Sequence, residues 1–319
     1  MQHKGVLLAI VFSLAIFLGY GDDATNYLNR GIIEGQKGDY ESAYADFSTA
    51  ISLKPDYVQA YNERGLAMGA MAANNKGPDD PITQKAVDAA IADYSGAIEL
   101  DAKYAPAYYN RGVALLVKGD RQNAKSDFIT VTKLKADYML LAQAYLHLGE
   151  LQQVEGDKAG ADYYFSGAYF FRANSEVVKQ ETNGALADFN KAIELRPDFT
   201  TAFYDRGRLK QTMGDFNGAL GDYDTTIKLD PSWSAPFMNR GNVKLLLNDA
   251  DGALADFDKA IALNPKDAKA FMNRGRAYAI LGDTARAKAD FSAAIEINPE
   301  IQELIKVNGY SVDGLPLQQ

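Results

Sequence analysis

The sequence contains no cysteine and only two histidines, His3 and His147. The lack of cysteine excludes thiol catalysis, disulfide bonds, thiolate metal sites and a lipid anchor attached to cysteine. Two histidines leave little from which to build a histidine metal site or a Ser–His–Asp triad. The sequence also shows no glycine-rich phosphate loop. We therefore expect no metal and no cofactor.

Basic residues are also fewer than acidic residues. Lys and Arg number 33 against 42 Asp and Glu, which gives a net charge of −9. This balance argues against a nucleic-acid partner and against a basic patch that holds the protein on anionic lipid. The hydrophobic share of 47% and the charged share of 24% are those of a folded globular chain.

The N-terminus has the pattern of a targeting segment. Lys4 precedes an apolar run over 5–19 that only Ser13 interrupts, and Gly19 and Gly21 stand just before Asp22. This order predicts a secretory signal peptide over 1–21 and an exported, periplasmic or secreted protein. The alternative is an uncleaved anchor in the inner membrane formed by residues 5–19, although a span usually needs about 20 residues. Membrane contact is expected only in that second case.

Two short phrases recur along the rest of the chain. Asn-Arg-Gly occurs at 29–31, 110–112, 239–241 and 273–275, and the last two copies begin 34 residues apart. Each copy is followed by a second phrase, Ala…Asp-Phe, as at Ala43 and Asp46-Phe47. A fixed period of this length indicates stacked repeats.

These phrases resemble the tetratricopeptide repeat family, and the resemblance covers residues 24–301. It implies an all-α fold, an α-solenoid of about eight helix–turn–helix units that forms a right-handed superhelix. We predict an N-terminal segment over 22–165, a C-terminal segment over 166–301 and a capping tail over 302–319. The predicted units are 24–57, 58–104, 105–138, 139–165, 166–199, 200–233, 234–267 and 268–301.

The repeated positions have a packing explanation. The eighth position of a unit is glycine in seven units and Ala173 in the other, and the twenty-fourth is always aromatic. Small residues let the two helices of a unit approach closely, and the aromatic rings fill the space beside that contact. Arginine at the seventh position and aspartate at the twenty-third occur in the same seven units and are both absent from the fourth. We predict that each Arg bonds the Asp of its own unit; an arginine ladder facing a ligand is the alternative.

The pattern is interrupted twice. The second unit carries about thirteen extra residues around 72–85, which predict a solvated loop. The fourth and fifth units overlap, because 142–175 and 166–199 both fit the repeat; one helix must serve both units or be remodelled. The overlap is rich in aromatic residues. They either seal an irregular core or form an exposed interface seam for a partner or a second copy of the chain: Tyr163, Tyr164, Tyr169, Phe170 and Phe171.

The family resemblance also implies a binding surface. In that family the first helix of each unit lines a concave groove through its second, fifth, sixth, ninth, twelfth and thirteenth positions. Asparagine can bind a peptide backbone as donor and acceptor, while Met and aromatic side chains accept apolar side chains. The alternative is an ordinary solvated surface. The predicted groove residues are Asn29, Tyr109, Asn110, Tyr204, Arg208, Met238, Asn239, Asn242, Met272, Asn273 and Arg276.

The sequence favours a non-enzymatic scaffold that binds a partner protein or an extended peptide. Its carboxylates fall at positions that the repeat determines, so no acid–base pair stands out as catalytic. A self-assembling structural protein, a homo-oligomer built through the seam, is the second hypothesis.

Overall fold

The computed structural model describes residues 23–73 and 80–312. The predicted signal peptide lies outside these residues, as do 74–79 of the predicted loop and the end of the tail. The described ranges hold sixteen α-helices and no β-strand, so the all-α expectation is confirmed. In chain order the helices are α1 (Asp23–Gln36), α2 (Tyr40–Leu53), α3 (Val58–Ala73), α4 (Pro81–Leu100), α5 (Ala105–Lys118), α6 (Arg121–Lys133), α7 (Tyr138–Val154), α8 (Lys158–Val178), α9 (Thr182–Leu195), α10 (Thr200–Thr212), α11 (Phe216–Leu229), α12 (Ser234–Leu246), α13 (Ala250–Leu263), α14 (Ala268–Ile280), α15 (Thr284–Ile297) and α16 (Ile301–Val307).

The helices fall into two compact units, Met1–Arg172 and Ala173–Gln319. In the N-terminal unit α1 packs on α2, α3 on α4 and α5 on α6. In the C-terminal unit the pairs are α10 with α11, α12 with α13 and α14 with α15. Each second helix also packs on the first helix of the next pair, so the core is continuous from one pair to the next within each unit.

Turn chemistry sets the boundaries of each pair. Gly38 adopts a φ of 85°, in the left-handed region that favours glycine, and Asp39 then caps α2 by accepting a hydrogen bond from the Ser42 amide at 3.0 Å. In the seventh repeat Asn248 takes the glycine's place at φ 63°. Five of the second helices end before a proline, as α2 does at Pro55, because the residue before proline is driven to extended backbone.

An aromatic ring packs directly against the backbone of the glycine at the eighth position. A Cβ added to Gly241 would stand 2.7 Å from Cε1 of Phe257, whose side chain is fully buried. The equivalent glycine meets the equivalent ring in seven repeats. In these seven repeats the ring occupies the volume of the missing side chain, so a larger residue than glycine would force the ring to move.

The Arg–Asp pairs within a repeat are confirmed for six repeats. Arg240 is typical: its Nε donates to Oδ2 of Asp256 at 2.9 Å, and Nη2 bonds the second oxygen. The remaining five pairs are Arg30–Asp46, Arg64–Asp93, Arg111–Asp127, Arg206–Asp222 and Arg274–Asp290. The pairing of Arg172 with Asp188 stays a prediction.

The same arginines also bond the repeat that precedes them. Nη1 of Arg240 donates to Asp224 at 2.6 Å, sixteen residues upstream on α11. Four other arginines repeat this contact, with the acceptors Ser48, Ser95, Asn190 and Asp258. One side chain therefore fastens the two helices of its repeat and also fastens that repeat to its neighbour.

The overlap of the fourth and fifth repeats is resolved by a shared helix. α8 runs without a break over 21 residues. Its beginning packs on α7, where Tyr164 meets Tyr145, and its end lies beside α9, where Gly184 lies next to the Glu176 carboxylate. Of the two alternatives that the sequence left open, one helix serves both repeats. The division between the compact units falls after Arg172, inside α8; the boundary between repeat segments at 165 stays a prediction.

The insertion in the second repeat is partly helical rather than a loop throughout. α3 extends to Ala73 and α4 is 20 residues long, so residues 72–73 and 81–85 of the predicted loop belong to helices. Asp80 accepts hydrogen bonds from the Ile82 and Thr83 amides at 3.1 Å, and Pro81 occupies the first turn. This cap and proline are a strong helix start, which explains why the helix begins so early.

The C-terminal helix α16 closes the last repeat. Ile301 and Ile305 are buried with Met272 of α14 and Phe291 of α15 in one cluster. A solenoid needs such a cover, because its last repeat has no neighbour to bury its apolar face. None of the helices in residues 23–73 and 80–312 combines the length and the apolar character that crossing a bilayer requires.

Candidate functional site

The first helix of each pair forms the face on which the sequence analysis places binding. In the N-terminal unit this face belongs to α1, α3, α5 and α7, and in the C-terminal unit to α10, α12 and α14. The two units carry different chemistry on it.

On the face of the N-terminal unit, His147 contacts an aromatic ring and two polar side chains. The His147 ring stacks on Phe128 with centroids 4.9 Å apart, and its Nε2 lies 3.3 Å from the Tyr109 hydroxyl. Its Nδ1 lies 3.0 Å from Oε2 of Glu150. Burial raises the pKa of Tyr109 to about 12. The predicted groove residue Tyr109 is thus joined to two polar residues, His147 and Glu150, that the sequence analysis did not select.

The asparagines of the N-terminal unit are partly used inside the protein. Nδ2 of Asn110 donates to Oδ1 of Asn62 at 2.9 Å, and Asn62 is buried on α3 beside the fully buried Glu63. Asn110 is half-buried, and so is Asn29 on α1. The Asn110 amide therefore braces α5 against α3, and its second amide hydrogen and its carbonyl oxygen remain to meet a peptide.

An aromatic cluster, which we define as Tyr204, Trp233 and Asn239, marks the face in the C-terminal unit. The rings of Tyr204 and Trp233 lie with centroids 4.3 Å apart, and Asn239 Nδ2 donates to the Tyr204 hydroxyl at 3.1 Å. Arg208 lies over the Tyr204 ring and pairs with Asp205 at 3.4 Å. Burial raises the pKa of both Tyr204 and Asp205. The structure thus brings together three of the predicted residues, Tyr204, Arg208 and Asn239.

Two predicted contact residues lie beneath the surface. Met272 and Asn273 are each only 4% exposed. Met272 is covered because α16 supplies Ile301 and Ile305 to its cluster, and Asn273 accepts a hydrogen bond from Nη1 of Arg276 at 3.3 Å. The structure therefore corrects their assignment: both support the face from below rather than line it.

Arg276 is a cation without a carboxylate. Among the residues that the structure describes, its guanidinium bonds Asn273 and pairs with no carboxylate, and its Nε is buried without a hydrogen-bond acceptor. Asn242 occupies the equivalent position on α12, and its Oδ1 is likewise buried without a donor. Both residues are half-buried. One donor and one acceptor on this face therefore have no hydrogen-bond partner among the described residues, which is uncommon for buried polar atoms.

An apolar row follows these polar residues along the same helices. Leu246 and Ile280 come one helical turn after Asn242 and Arg276 and are 55% and 54% exposed. Met238, on the same face of α12, is half-buried. We define the apolar row by the exposed residues at the ends of the first helices: Met213, Leu246, Leu247, Ile280 and Leu281.

The aromatic seam of α8 is mostly turned inward. Phe171 packs on Tyr145 with centroids 5.2 Å apart, and Tyr164 packs on the same ring. Phe170 packs edge-on against Phe171, and Tyr169 is covered by the guanidinium of Arg172. Tyr163 is 49% exposed. The other four seam residues are thus half-buried, with Tyr163 at the surface, so both interpretations of the seam remain predictions.

Three residues of this face were not predicted from the sequence: Trp233, His147 and Glu150. Trp233 precedes its helix and so lies outside the positions counted as groove. His147 stands at the sixth position of the fourth repeat if Tyr145 is counted as the fourth, but the irregular register concealed it. Counting from the aromatic residue in every repeat finds it.

A metal site is not apparent in the described part of the chain, where no three His, Asp or Glu side chains are grouped to hold an ion. Paired helices, a 34-residue step between most repeats and aromatic rings packed on glycines define a helical repeat protein. Family profiles described as "TPR repeat" match residues 31–71 and 83–119, and profiles described as "Tetratricopeptide repeat" match 105–138 and 238–300. The chain belongs to the tetratricopeptide repeat family.

Among solved structures, the chain is similar to YrrB, described as a TPR protein with an unusual peptide-binding site, at 21% identity and a TM-score of 0.30, over 70% of this chain and 95% of that one. It is similar to a tetratricopeptide repeat protein of Parabacteroides merdae at 17% identity and a TM-score of 0.41, over 90% and 99%. It is also similar to the first TPR of Spaghetti (RPAP3), bound to an HSP90 peptide, at 26% identity and a TM-score of 0.32, over 34% and 90%. No curated protein matches the chain.

Proposed function

We propose that the protein is a non-enzymatic scaffold that binds an extended segment of a partner protein on the first-helix face of its C-terminal unit. A helix face with alternating aromatic, amide and cationic side chains suits a peptide, because amides bind any backbone while rings and methionines accept side chains.

The aromatic cluster carries this proposal. Asn239 holds Tyr204, and Tyr204 packs on Trp233, so the cluster is already ordered before a ligand arrives. Because Tyr and Trp have few rotatable bonds, they offer contact area at a low entropic cost. Tyr204 and Trp233 are half-buried, so part of each ring remains open to a ligand.

The test is a selection of random peptides on the immobilised full-length protein, followed by titration of the selected peptides in solution. Trp233 is the only tryptophan in the chain, so its fluorescence reports directly on the aromatic cluster. We expect the selected peptides to change this fluorescence. Asn239→Ala and Arg208→Ala should each weaken their binding about ten-fold, the loss that one hydrogen bond to a peptide or one charge contact explains.

Asn217→Ala is the matched control, because Asn217 is exposed on α11, a second helix. The proposal fails if the selected peptides bind the Asn239 and Arg208 variants as tightly as the native protein, or if they leave the Trp233 fluorescence unchanged.

We also propose that the protein is exported. Lys4, the apolar run over 5–19 and the acidic start at Asp22 support a signal peptide. Fractionation and intact mass of the protein from a bacterial host test this proposal. A mature chain that begins at Asp22 outside the cytoplasm supports cleavage, a full-length chain in the membrane fraction supports the anchor over 5–19, and a full-length cytoplasmic chain excludes both.

Self-association through Tyr163 is the second proposal. Tyr163 is half exposed beside Tyr164, and an exposed ring of this size is a frequent interface anchor. Sedimentation at increasing concentration tests it: a dimer that Tyr163→Ser dissociates supports self-association, and a monomer at all concentrations removes it.

A further inference from the structure

We propose that the ligand of the C-terminal unit is an extended acidic segment whose apolar side chains recur at every third residue. This inference rests on the proposed function and specifies its ligand. Three observations lead to it: the charge of Arg276, the position of the apolar row and the spacing of the helices.

The charge argues for an acidic ligand. Within the described residues Arg276 bonds the neutral Asn273, at 3.3 Å, and no carboxylate, whereas the six scaffold arginines described above each bond a carboxylate. Arg208, at the same position of α10, is exposed and holds Asp205 only loosely at 3.4 Å. A guanidinium in a half-buried site gains most from a carboxylate, which can accept two parallel hydrogen bonds. The face therefore offers Arg276 to an acidic side chain, and it offers Arg208 in competition with Asp205.

The apolar row argues for regularly placed apolar side chains. Ile280 lies one turn beyond Arg276 on α14, and Leu246 lies one turn beyond Asn242 on α12. Each is more than half exposed. A ligand that crosses the helices thus meets a polar and an apolar position on each helix, about 6 Å apart along the helix axis.

The helix spacing sets the period. The first helices α10 and α12 are in direct contact, and so are α12 and α14. Neighbouring packed helices lie about 8–10 Å apart. A polyproline II segment advances about 3.1 Å per residue with three residues per turn, so side chains on one of its faces recur every ~9 Å. A β-strand repeats its face every ~6.7 Å, which does not match the helices.

The probes are fluorescein-labelled peptides in which Leu-Pro-Glu is repeated four times. Leucines of this peptide share one face and glutamates another, so they meet the apolar row and the arginines together. One comparison peptide has the same composition with its leucines grouped at one end. A second replaces every glutamate by glutamine.

The measurement is fluorescence anisotropy with the full-length protein at low and moderate salt. We expect the ordered peptide to bind at least ten-fold more tightly than the grouped peptide and more tightly than the glutamine peptide. Salt should weaken the ordered peptide more than the glutamine peptide, because its glutamate charges are screened and the glutamine peptide lacks them.

Variants assign the contacts. Arg276→Gln should weaken the glutamate peptide about ten-fold and leave the glutamine peptide unchanged, while Arg276→Lys should retain part of the affinity. Ile280→Ser should weaken both peptides. Lys259→Gln removes one positive charge from the exposed side of α13, and Leu229→Ser removes an exposed leucine from the end of α11; neither should change binding.

Equal affinity for the ordered and grouped peptides would overturn the spacing. A glutamine peptide that binds as well as the glutamate peptide would overturn the acidic preference. In either case the peptides selected at random still test the aromatic cluster, so this inference can fail while the proposed function stands. If no peptide binds in a way that Asn239→Ala weakens, both fail. Thermal unfolding of each variant confirms that it is folded.

Discussion

The guanidinium of Arg274 donates a hydrogen bond to Asp258 of the preceding repeat, with 2.7 Å between Nη1 and Oδ1. The same guanidinium binds Asp290 of its own repeat through Nε and Nη2. The two contacts differ in burial, because Asp290 is buried and Asp258 is exposed. They should therefore differ in energy.

Arg240→Ala should lower the free energy of unfolding of the C-terminal repeats by about 3 kcal/mol. It leaves Asp256 buried with Lys244, at 2.8 Å, as its remaining charged partner. Urea unfolding followed by circular dichroism measures the change. If Arg240→Ala proves neutral, the pairing within the repeat is not a stabilising contact.

Asp224→Ala is the companion substitution, because it removes only the contact with the preceding repeat. The Asp224 side chain is exposed, so we expect a loss below about 1 kcal/mol that disappears in high salt. A double-mutant cycle with Arg240→Ala isolates the interaction between the two residues. A loss as large as that of Arg240→Ala would contradict the assignment of the energy to the buried pair.

Gly241→Ala should destabilise the protein by about 1–3 kcal/mol, because its new methyl group would stand 2.7 Å from the Phe257 ring in a filled core. Gly221→Ala is the control in α11, where an added Cβ meets nothing within 4 Å. It should stabilise by about 0.5–1 kcal/mol through helix propensity. Thermal unfolding of both variants decides: two changes of the same sign would refute the proposed role of the ring.

Alkaline pH should unfold the N-terminal unit through its buried tyrosines. Burial raises the pKa of Tyr109 to about 12, above the usual value of about 10 in the unfolded chain. The stability that the buried, neutral Tyr109 contributes is fully present below pH about 10. It is lost at about 1.4 kcal/mol per pH unit as the pH rises toward the pKa of the folded state. Burial also raises the pKa of Tyr94, which should steepen the loss.

Urea midpoints measured from neutral to alkaline pH test this dependence. Tyr109→Phe should make the decline above pH about 10 shallower, because one titrating group is removed. An unchanged slope would mean that Tyr109 titrates alike in the folded and unfolded states.

Ile305→Ala should cost about 2–5 kcal/mol, because Ile305 is fully buried between α16 and the last repeat. Hydrogen exchange of α14 should increase, since the same cluster covers Met272. Leu304→Ala, one residue away but partly exposed, is the matched control and should change little. Equal effects of both substitutions would show that α16 does not cap the repeat in solution.

The fold was predictable from the sequence because the same packing residues recur at the same positions of each repeat. A glycine at 241 and a ring at 257 are sixteen residues apart in the sequence and in contact in the structure, and seven repeats show the same pair. The Arg–Asp pairs were predictable for the same reason. The contact with the preceding repeat was not, because its acceptor varies among Ser, Asn and Asp.

The candidate site was predicted less well than the fold. Family position alone selected Asn239, Tyr204 and Arg208, and in the structure Asn239 and Arg208 both contact Tyr204. The same rule failed for Met272 and Asn273, since position in a repeat does not reveal that α16 covers the last one. Arg276 was selected for its charge, but its lack of a carboxylate emerges only when every neighbouring side chain is placed.

The acceptors of the contacts between repeats change along the chain, from Ser48 and Ser95 through Asn190 to Asp224 and Asp258. In the last two repeats the contact joins a charged arginine to a charged aspartate. In the first repeats it joins a charged arginine to a neutral serine hydroxyl. The contact with the preceding repeat therefore becomes an exposed ion pair toward the C-terminus. Added salt should weaken this contact among the last three repeats and change the hydroxyl contacts of the first repeats much less.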